Sequence, residues 1–278
     1  EINMQKAFGY KVDIVPYNKL KFNKMKTVYY SIAPYGGIVD MSATNQFIGG
    51  SIQKVKKNYF DKLRKIGPNA QSFTKCVAAT EYLKNWYSWH IDYGFNLKFN
   101  RDNNSFKLKV DLSDDPEVKN LLPGFQEKMS SSNFLLRGVQ DRMVSVNHGV
   151  YFFCEEDLWV EQMHPTYEST EFSRNTMVFP GSYNIAKWFR PLQSSFMCLE
   201  DNIRVNEGDG MYYFKFLTTE QVKLVEFDFT QEIANVAFSS TSYKVLRSFL
   251  KLDKLYDLFS KKRAPQKLAK LIKQNIIE

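Results

Sequence analysis

Only three cysteines, Cys76, Cys154 and Cys198, occur in 278 residues, and no two of them form a CxxC pair. That excludes a disulfide-dense scaffold and a thiolate zinc site, and it leaves the expectation of reduced, mostly buried thiols. Histidine is equally scarce: His90, His148 and His164 are the full set. Glycine and proline, at 13 and 9, are too few for a fibrous repeat or a low-complexity linker. Long apolar runs are missing as well. Stretches such as 27–39 are broken by Ser, Pro and Gly, short of the roughly 20 residues a membrane span requires. Residues 1–10 show no basic start followed by an apolar run, so no secretion leader is expected. There is no GxxxxGK[ST] or GxGxxG loop for phosphates, no GxSxG elbow and no HExxH pair. Those routes to nucleotide binding, ester hydrolysis and zinc proteolysis are closed.

What the chain does contain is aromatic residues, with 23 Phe, 16 Tyr and 4 Trp, enough to fill a sizeable core and too many for a disordered chain. The net charge of +8 is unevenly spread. Between Lys244 and Lys273 there are ten Lys or Arg and two acids, Asp253 and Asp257, so this segment accounts for the whole excess and the rest is neutral overall. Any attraction for phosphate or for an acidic partner is therefore placed in the C-terminal part, residues 244–273.

Up to about residue 230 the pattern is one of short β-prone runs separated by turn residues, the spacing of a sandwich or barrel. Strands are expected at 9–15, 27–32, 95–99, 106–110, 150–154, 158–163, 176–179, 183–189, 195–199, 202–205, 211–216 and 221–227. The pair 95–99 and 106–110 reads as a hairpin around Asn100-Arg101-Asp102-Asn103-Asn104. Gly208-Asp209-Gly210 supplies a tight turn, and Arg190-Pro191 is expected to end a strand, because proline lacks a ladder donor. Short helices are expected at 60–66 and 76–85. Beyond Ser239-Ser240-Thr241, apolar residues recur at helical spacing from Val245 to Phe259, and again from Leu268 to Ile276 after a break at Ala264-Pro265. The fold expected is mainly β: a jelly-roll-like antiparallel sandwich over 1–232, followed by a basic segment of two amphipathic helices over 233–278.

Chemistry is suggested first by His90-Ile91-Asp92. In a strand, residues two apart share a face, so His90 and Asp92 supply two ligands of a two-His, one-carboxylate iron site, with His164 or His148 as the third. Arg174, followed by Asn175-Thr176, matches the basic and hydroxyl groups that grip a 2-oxoglutarate carboxylate. An Fe(II) and 2-oxoglutarate oxygenase is thus one reading, against which stand satisfied core or surface histidines. The acids at Asp111/Asp114/Asp115/Glu117, at Glu155-Glu156-Asp157 and at Glu207/Asp209 follow no EF-hand pattern and read as solvated loops. In the basic segment, Arg247, Phe249, Lys251, Lys254 and Tyr256 interleave charge with rings, as nucleic-acid contacts do; Lys261, Lys262 and Arg263 extend the patch. The same helices alternatively pack on a second subunit.

Three stretches resemble a family of uncharacterised proteins encoded by marine tailed bacteriophages, including those of cyanobacteria: residues 75–85 (KCVAATEYLKN), residues 180–191 (PGSYNIAKWFRP) and residues 207–216 (EGDGMYYFKF). The Asn184-Ile185-Ala186-Lys187-Trp188-Phe189-Arg190-Pro191 stretch is the most specific. The similarity covers about residues 70–230, with Val77 and Gly210 standing where the family tends to have proline. The resemblance implies a viral protein of the host cytoplasm or the virion, and it makes Lys187 and Arg190 candidates for a shared binding site. It implies no assigned activity. The function expected is binding without a cofactor, as a virion component or in contact with a host macromolecule, through a protein partner or a homo-oligomer, with no membrane span. The oxygenase and a nucleic-acid-binding protein are the other readings.

Overall fold

Where apolar and aromatic residues run without alternation, both faces of a strand must be covered; where they alternate, one face is wet. Both situations occur in the computed structural model of the protein, which describes residues 25–32, 50–102, 105–112, 134–136, 141–237 and 250–277. The strands are β1 (Met25–Ile32), β2 (Gly50–Lys54), β3 (Trp86–Ile91), β4 (Phe95–Asp102), β5 (Ser105–Leu112), β6 (Phe134–Leu136), β7 (Met143–Phe153), β8 (Trp159–Met163), β9 (Thr176–Val178), β10 (Gly181–Asn184), β11 (Pro191–Cys198), β12 (Asn202–Val205), β13 (Gly210–Phe216) and β14 (Gln221–Glu226). The helices are α1 (Val55–Ile66), α2 (Pro68–Gln71), α3 (Val77–Tyr82), α4 (Glu171–Asn175), α5 (Leu252–Lys261) and α6 (Ala264–Gln274), with a further helical segment at 231–237.

Two sheets face each other. One has the order β14-β1-β7-β11-β9 with β6 also on β7; the other runs β10-β8-β13-β3-β2. A three-stranded sheet, β12-β4-β5, contributes Phe95, Leu97, Phe99, Ile203 and Val205 to the same core. The facing surfaces meet through aromatic rings. Phe152 of β7 lies 5.0 Å from Phe214 and 5.4 Å from Phe216 of β13, and Tyr87 of β3 stacks on Phe214 at 5.6 Å. The protein is thus mainly β, built from antiparallel sheets and closed by two C-terminal amphipathic helices, as the sequence leads one to expect. One pairing departs from the antiparallel series: β1 and β14 run parallel, Met25 opposite Gln221 through Tyr30 opposite Glu226.

Both outer faces are covered. On the second sheet, α1 sets Val55, Phe60 and Leu63 against Leu83, Trp86 and Tyr213. On the first sheet, Leu268, Leu271 and Ile272 of α6 and Phe259 of α5 pack on Tyr29, Tyr151, Phe153, Phe189, Phe227 and Phe229. The C-terminal helices are also bonded to the sheet, by Asp228 N–H to the Asn275 carbonyl at 2.8 Å and Ile277 N–H to the Glu226 carbonyl at 3.0 Å. Among the described residues no helix is long and apolar enough to cross a membrane.

Several local expectations change. The strand expected at 183–189 stops at Asn184, whose side-chain oxygen accepts the N–H groups of Ala186 and Lys187 at 3.0 and 3.2 Å and turns the chain. Pro191 begins β11 instead of ending a strand; the first position of a strand tolerates a missing donor. Pro265 lies in the first turn of α6, where its fixed φ suits the helix, and Arg263 before it is left-handed, at φ 54°. The 4–5 hairpin pairs as far as Asp102 opposite Ser105, tighter than the five-residue loop expected. Trp86–Ile91, which shows no alternation, is a strand buried at all six positions. Gly50 lies flat against the Trp89 indole, where a Cβ would overlap the ring. The strand expected at 9–15 lies outside the described residues, as do residues 238–249.

Candidate functional site

The residues of the expected iron site do not converge. His90 lies in β3 on the face toward α1, 6% exposed, with both ring nitrogens engaged: Nδ1 at 2.8 Å from the Gly208 carbonyl and Nε2 at 2.7 Å from Ser88 Oγ. A carbonyl only accepts, so Nδ1–H donates to Gly208, while Nε2 shares its bond with the Ser88 hydroxyl. His164 follows β8, and β13 lies between β8 and β3, which sets those two backbones about 10 Å apart. Its ring is also fully used: Nε2 donates to the Ser173 carbonyl at 2.9 Å, and Nδ1 accepts from Val178 N–H at 3.4 Å. Asp92 is exposed beyond the end of β3; partial burial and the Glu207 carboxylate raise its pKa. Arg174 is exposed at the end of α4, and the Thr176 hydroxyl beside it donates to the Phe172 carbonyl at 2.7 Å. Among the described residues no group of three His, Cys, Asp or Glu is placed to hold a metal. His90, Asp92 and His164 therefore do not fit an Fe(II) and 2-oxoglutarate site, because they do not converge and both of these histidines have committed their ring nitrogens. The side chain of His148 is not described.

Burial holds the His164 pKa below its ordinary value near 6.5. A base whose folded pKa is depressed stabilises the fold above its unfolded pKa, and that contribution is lost as pH falls through the folded value. Chemical denaturation at pH 7 and pH 5 is expected to show a loss on acidification that is smaller in His164→Asn, which cannot protonate.

Ser88 and His90 form a pair that sequence reasoning passed over, although serine and histidine two apart in a strand share a face. A serine hydroxyl donating to an imidazole held by a carbonyl is the geometry of an activated nucleophile. Ser88 has no exposed surface, however, and its Oγ also lies 3.3 Å from the Gln53 carbonyl. No substrate carbonyl reaches it, and the pair serves to satisfy polar groups between β3 and its cover. Nearby, Glu168, whose side chain is 9% exposed, takes Lys62 Nζ at 2.7 Å and the Tyr213 hydroxyl at 3.2 Å, tying α1 to the sheet.

The Asn184 to Pro191 stretch is a junction between the two sheets. Trp188 and Phe189 are buried; Trp188 meets Tyr256 edge-on at 5.6 Å, and Phe189 packs on Tyr151 at 5.1 Å. Asn184 donates to Asp157 Oδ1 at 2.6 Å, and Lys187 pairs with the same carboxylate at 3.1 Å. These two partners hold the Asp157 pKa below the usual carboxylate range. Arg190 is half-buried, with Nε 3.5 Å from the Pro191 carbonyl. Lys187 and Arg190 thus lie at this turn, Lys187 exposed and paired with Asp157.

The basic segment is arranged differently. Its apolar side chains face the sheet, while Lys251, Lys254, Lys261, Lys262, Arg263, Lys267, Lys270 and Lys273 are all exposed. Within residues 250–277 the only acids are Asp253 and Asp257. Lys273 is paired with Glu155 at 2.8 Å. Tyr256 is not available for stacking: its ring is against Trp188, and its hydroxyl accepts the Asn184 N–H at 3.3 Å. Arg247 and Phe249 lie outside the described residues. Of the cysteines, Cys76 is exposed, and Cys154 and Cys198 are buried; all are free, and burial pushes Cys198 up to about 12.

Fold and surface together define a β protein of two facing sheets and a third, three-stranded one, with helices on the outer faces of the facing pair and a dense cationic surface on its C-terminal helices. Comparison with protein-family models, with curated proteins and with solved structures gives no match.

Proposed function

We propose that the protein works by binding, with the exposed cations of α5, α6 and the turn between them as the element that engages an acidic surface. In keeping with the resemblance to proteins of marine tailed phages, that role is one of a virion component or of a phage protein that engages a host macromolecule. One observation carries the reading: eight exposed Lys and Arg lie along two helices, the residue before α5 and the turn between them, on a helix pair whose apolar side is already covered by the sheet. A helix pair needs no such excess to stay folded, and clustering of one sign raises the local potential that attracts a polyanion. The inward placement of Tyr256 favours recognition of charge over base stacking.

The test uses a variant in which Lys254, Lys261, Arg263, Lys267 and Lys270 are all changed to Glu. None of these side chains is part of the core, so the circular dichroism spectrum and Tm should be little altered. Wild-type protein is expected to bind duplex DNA and poly-glutamate with affinities that fall as salt rises, and the variant to lose about tenfold or more. Binding confined to DNA marks a nucleic-acid partner, and binding of both polymers marks an acidic surface of either kind. Unchanged affinity in the variant removes the helices from the reading.

A further inference from the structure

We infer that the edge of β14 that no described strand covers is a strand-addition site for an extended peptide whose C-terminal part is acidic. Strand β14 ends the first sheet, with β1 on one side. On its other side the backbone groups have identifiable partners at the two ends. The Glu220 carbonyl accepts from Asn85 Nδ2 at 2.7 Å; the Val222 N–H donates to Asn85 Oδ1 at 3.0 Å, and its carbonyl accepts the Tyr87 hydroxyl at 3.3 Å. At the far end the Glu226 carbonyl accepts the Ile277 N–H at 3.0 Å. These are alternate residues, as the pleat of a strand requires. By the same alternation the N–H and carbonyl of Leu224, midway between them, face away from β1.

What they face is a groove of about 840 Å³, bordered by Tyr30, Ile52, Lys54, Tyr87 and Ile276. Unpaired strand edges beside apolar walls are the template to which extended peptides add, the backbone giving affinity and the flanking pockets specificity. The chain itself shows the geometry, since Ile276 bridges Phe227 in antiparallel fashion and Ile277 bonds to Glu226. A strand continuing in that sense runs antiparallel to β14, from Glu226 back to Gln221. Its C-terminal end then arrives where the groove opens into a hollow of about 300 Å³ lined by Lys54, Lys56 and Lys84, with Glu81 the one acid there. Lys84 is held there by the Thr219 carbonyl at 2.7 Å and the Glu81 carboxylate at 3.9 Å, so the ammonium groups of Lys54 and Lys56 are the ones that select carboxylates and set the direction of the peptide.

The probe is a fluorescein-labelled peptide, Thr-Val-Thr-Val-Asp-Glu, titrated against the full chain by fluorescence anisotropy. Saturable binding is expected. N-methylation of the peptide amide opposite Leu224 should weaken it about tenfold or more, since the half-buried Leu224 carbonyl then loses its donor. Replacing Asp-Glu by Lys-Lys should weaken it by a similar factor. On the protein side, Leu224→Pro removes the donor that faces the groove without touching the β1 ladder, and it should abolish binding. The methylated peptide tests the same bond on unaltered protein if that variant fails to fold. Absence of saturation, or equal binding of the methylated peptide, overturns the inference. So does a wild-type dimer in sedimentation that Leu224→Pro converts to monomer, which would assign the edge to a second copy of this chain.

Discussion

Phe214→Ala is expected to lower the unfolding free energy by about 3–5 kcal/mol, the range for removing a large buried ring. Phe214 has no exposed surface and touches rings from both facing sheets: Tyr87 at 5.6 Å, Phe152 at 5.0 Å and Phe216 at 5.8 Å. Three aromatic neighbours cannot collapse into the vacated volume without losing contacts of their own, so the cavity cost adds to the transfer cost. Equilibrium urea denaturation with the slope held in common checks it. Phe214→Leu, which keeps most of the volume, should cost less than half as much. A loss below about 1 kcal/mol for the alanine variant would mean that the two sheets are not joined through this ring.

Asn85→Ala should be nearly as damaging, at about 3 kcal/mol, for a different reason. Asn85 is 8% exposed, and its side chain bonds to the Thr218 and Glu220 carbonyls at 3.1 and 2.7 Å and to the Val222 N–H at 3.0 Å. Alanine leaves those three backbone groups without partners at a site water hardly reaches. The residue also sits at φ 62°, a region asparagine tolerates better than alanine. Hydrogen exchange at the Val222 amide is the direct readout: protection should be lost in Asn85→Ala before global unfolding is seen. Because Asn85 joins the entry to β3 to the edge of β14, the substitution should loosen that edge in particular.

The β character of this fold was legible because its wet strands alternate. Phe106-Lys107-Leu108-Lys109-Val110 is such a run, and it lies within β5, paired along its whole length with β4. Strand β3 was hidden because Trp86–Ile91 is covered on both faces, by the facing sheet and by α1, so no period of two is left in its sequence. The parallel pairing of β1 with β14 joins residues nearly two hundred positions apart, and nothing local encodes it. The turn after Asn184 was also hidden, since apolar residues such as Ile185, Trp188 and Phe189 suggest a strand wherever the Asn side chain is not seen to cap the backbone.

Legibility of the site followed the same division. The exposed cations of the C-terminal helices were readable because a helix repeats every 3.6 residues, which fixes which side chains share the apolar face. Pairing of His90 with Asp92 was a reasonable inference from strand geometry, yet β3 ends at Ile91, and Asp92 leaves the pleat. The ring nitrogens of His90 and His164 were committed by Gly208, Ser88, Ser173 and Val178, three of which are backbone partners that sequence patterns do not show.

The most direct test of the account is the salt dependence of affinity for a short DNA duplex, measured from about 50 to 300 mM salt, with the wild type and the five-Glu variant side by side. Engagement through the C-terminal cations predicts a linear fall of log K with log salt, with a slope of about −4 to −5 for roughly five phosphates neutralised, and a much shallower line for the variant. A flat wild-type line, or the same slope in both proteins, would contradict it.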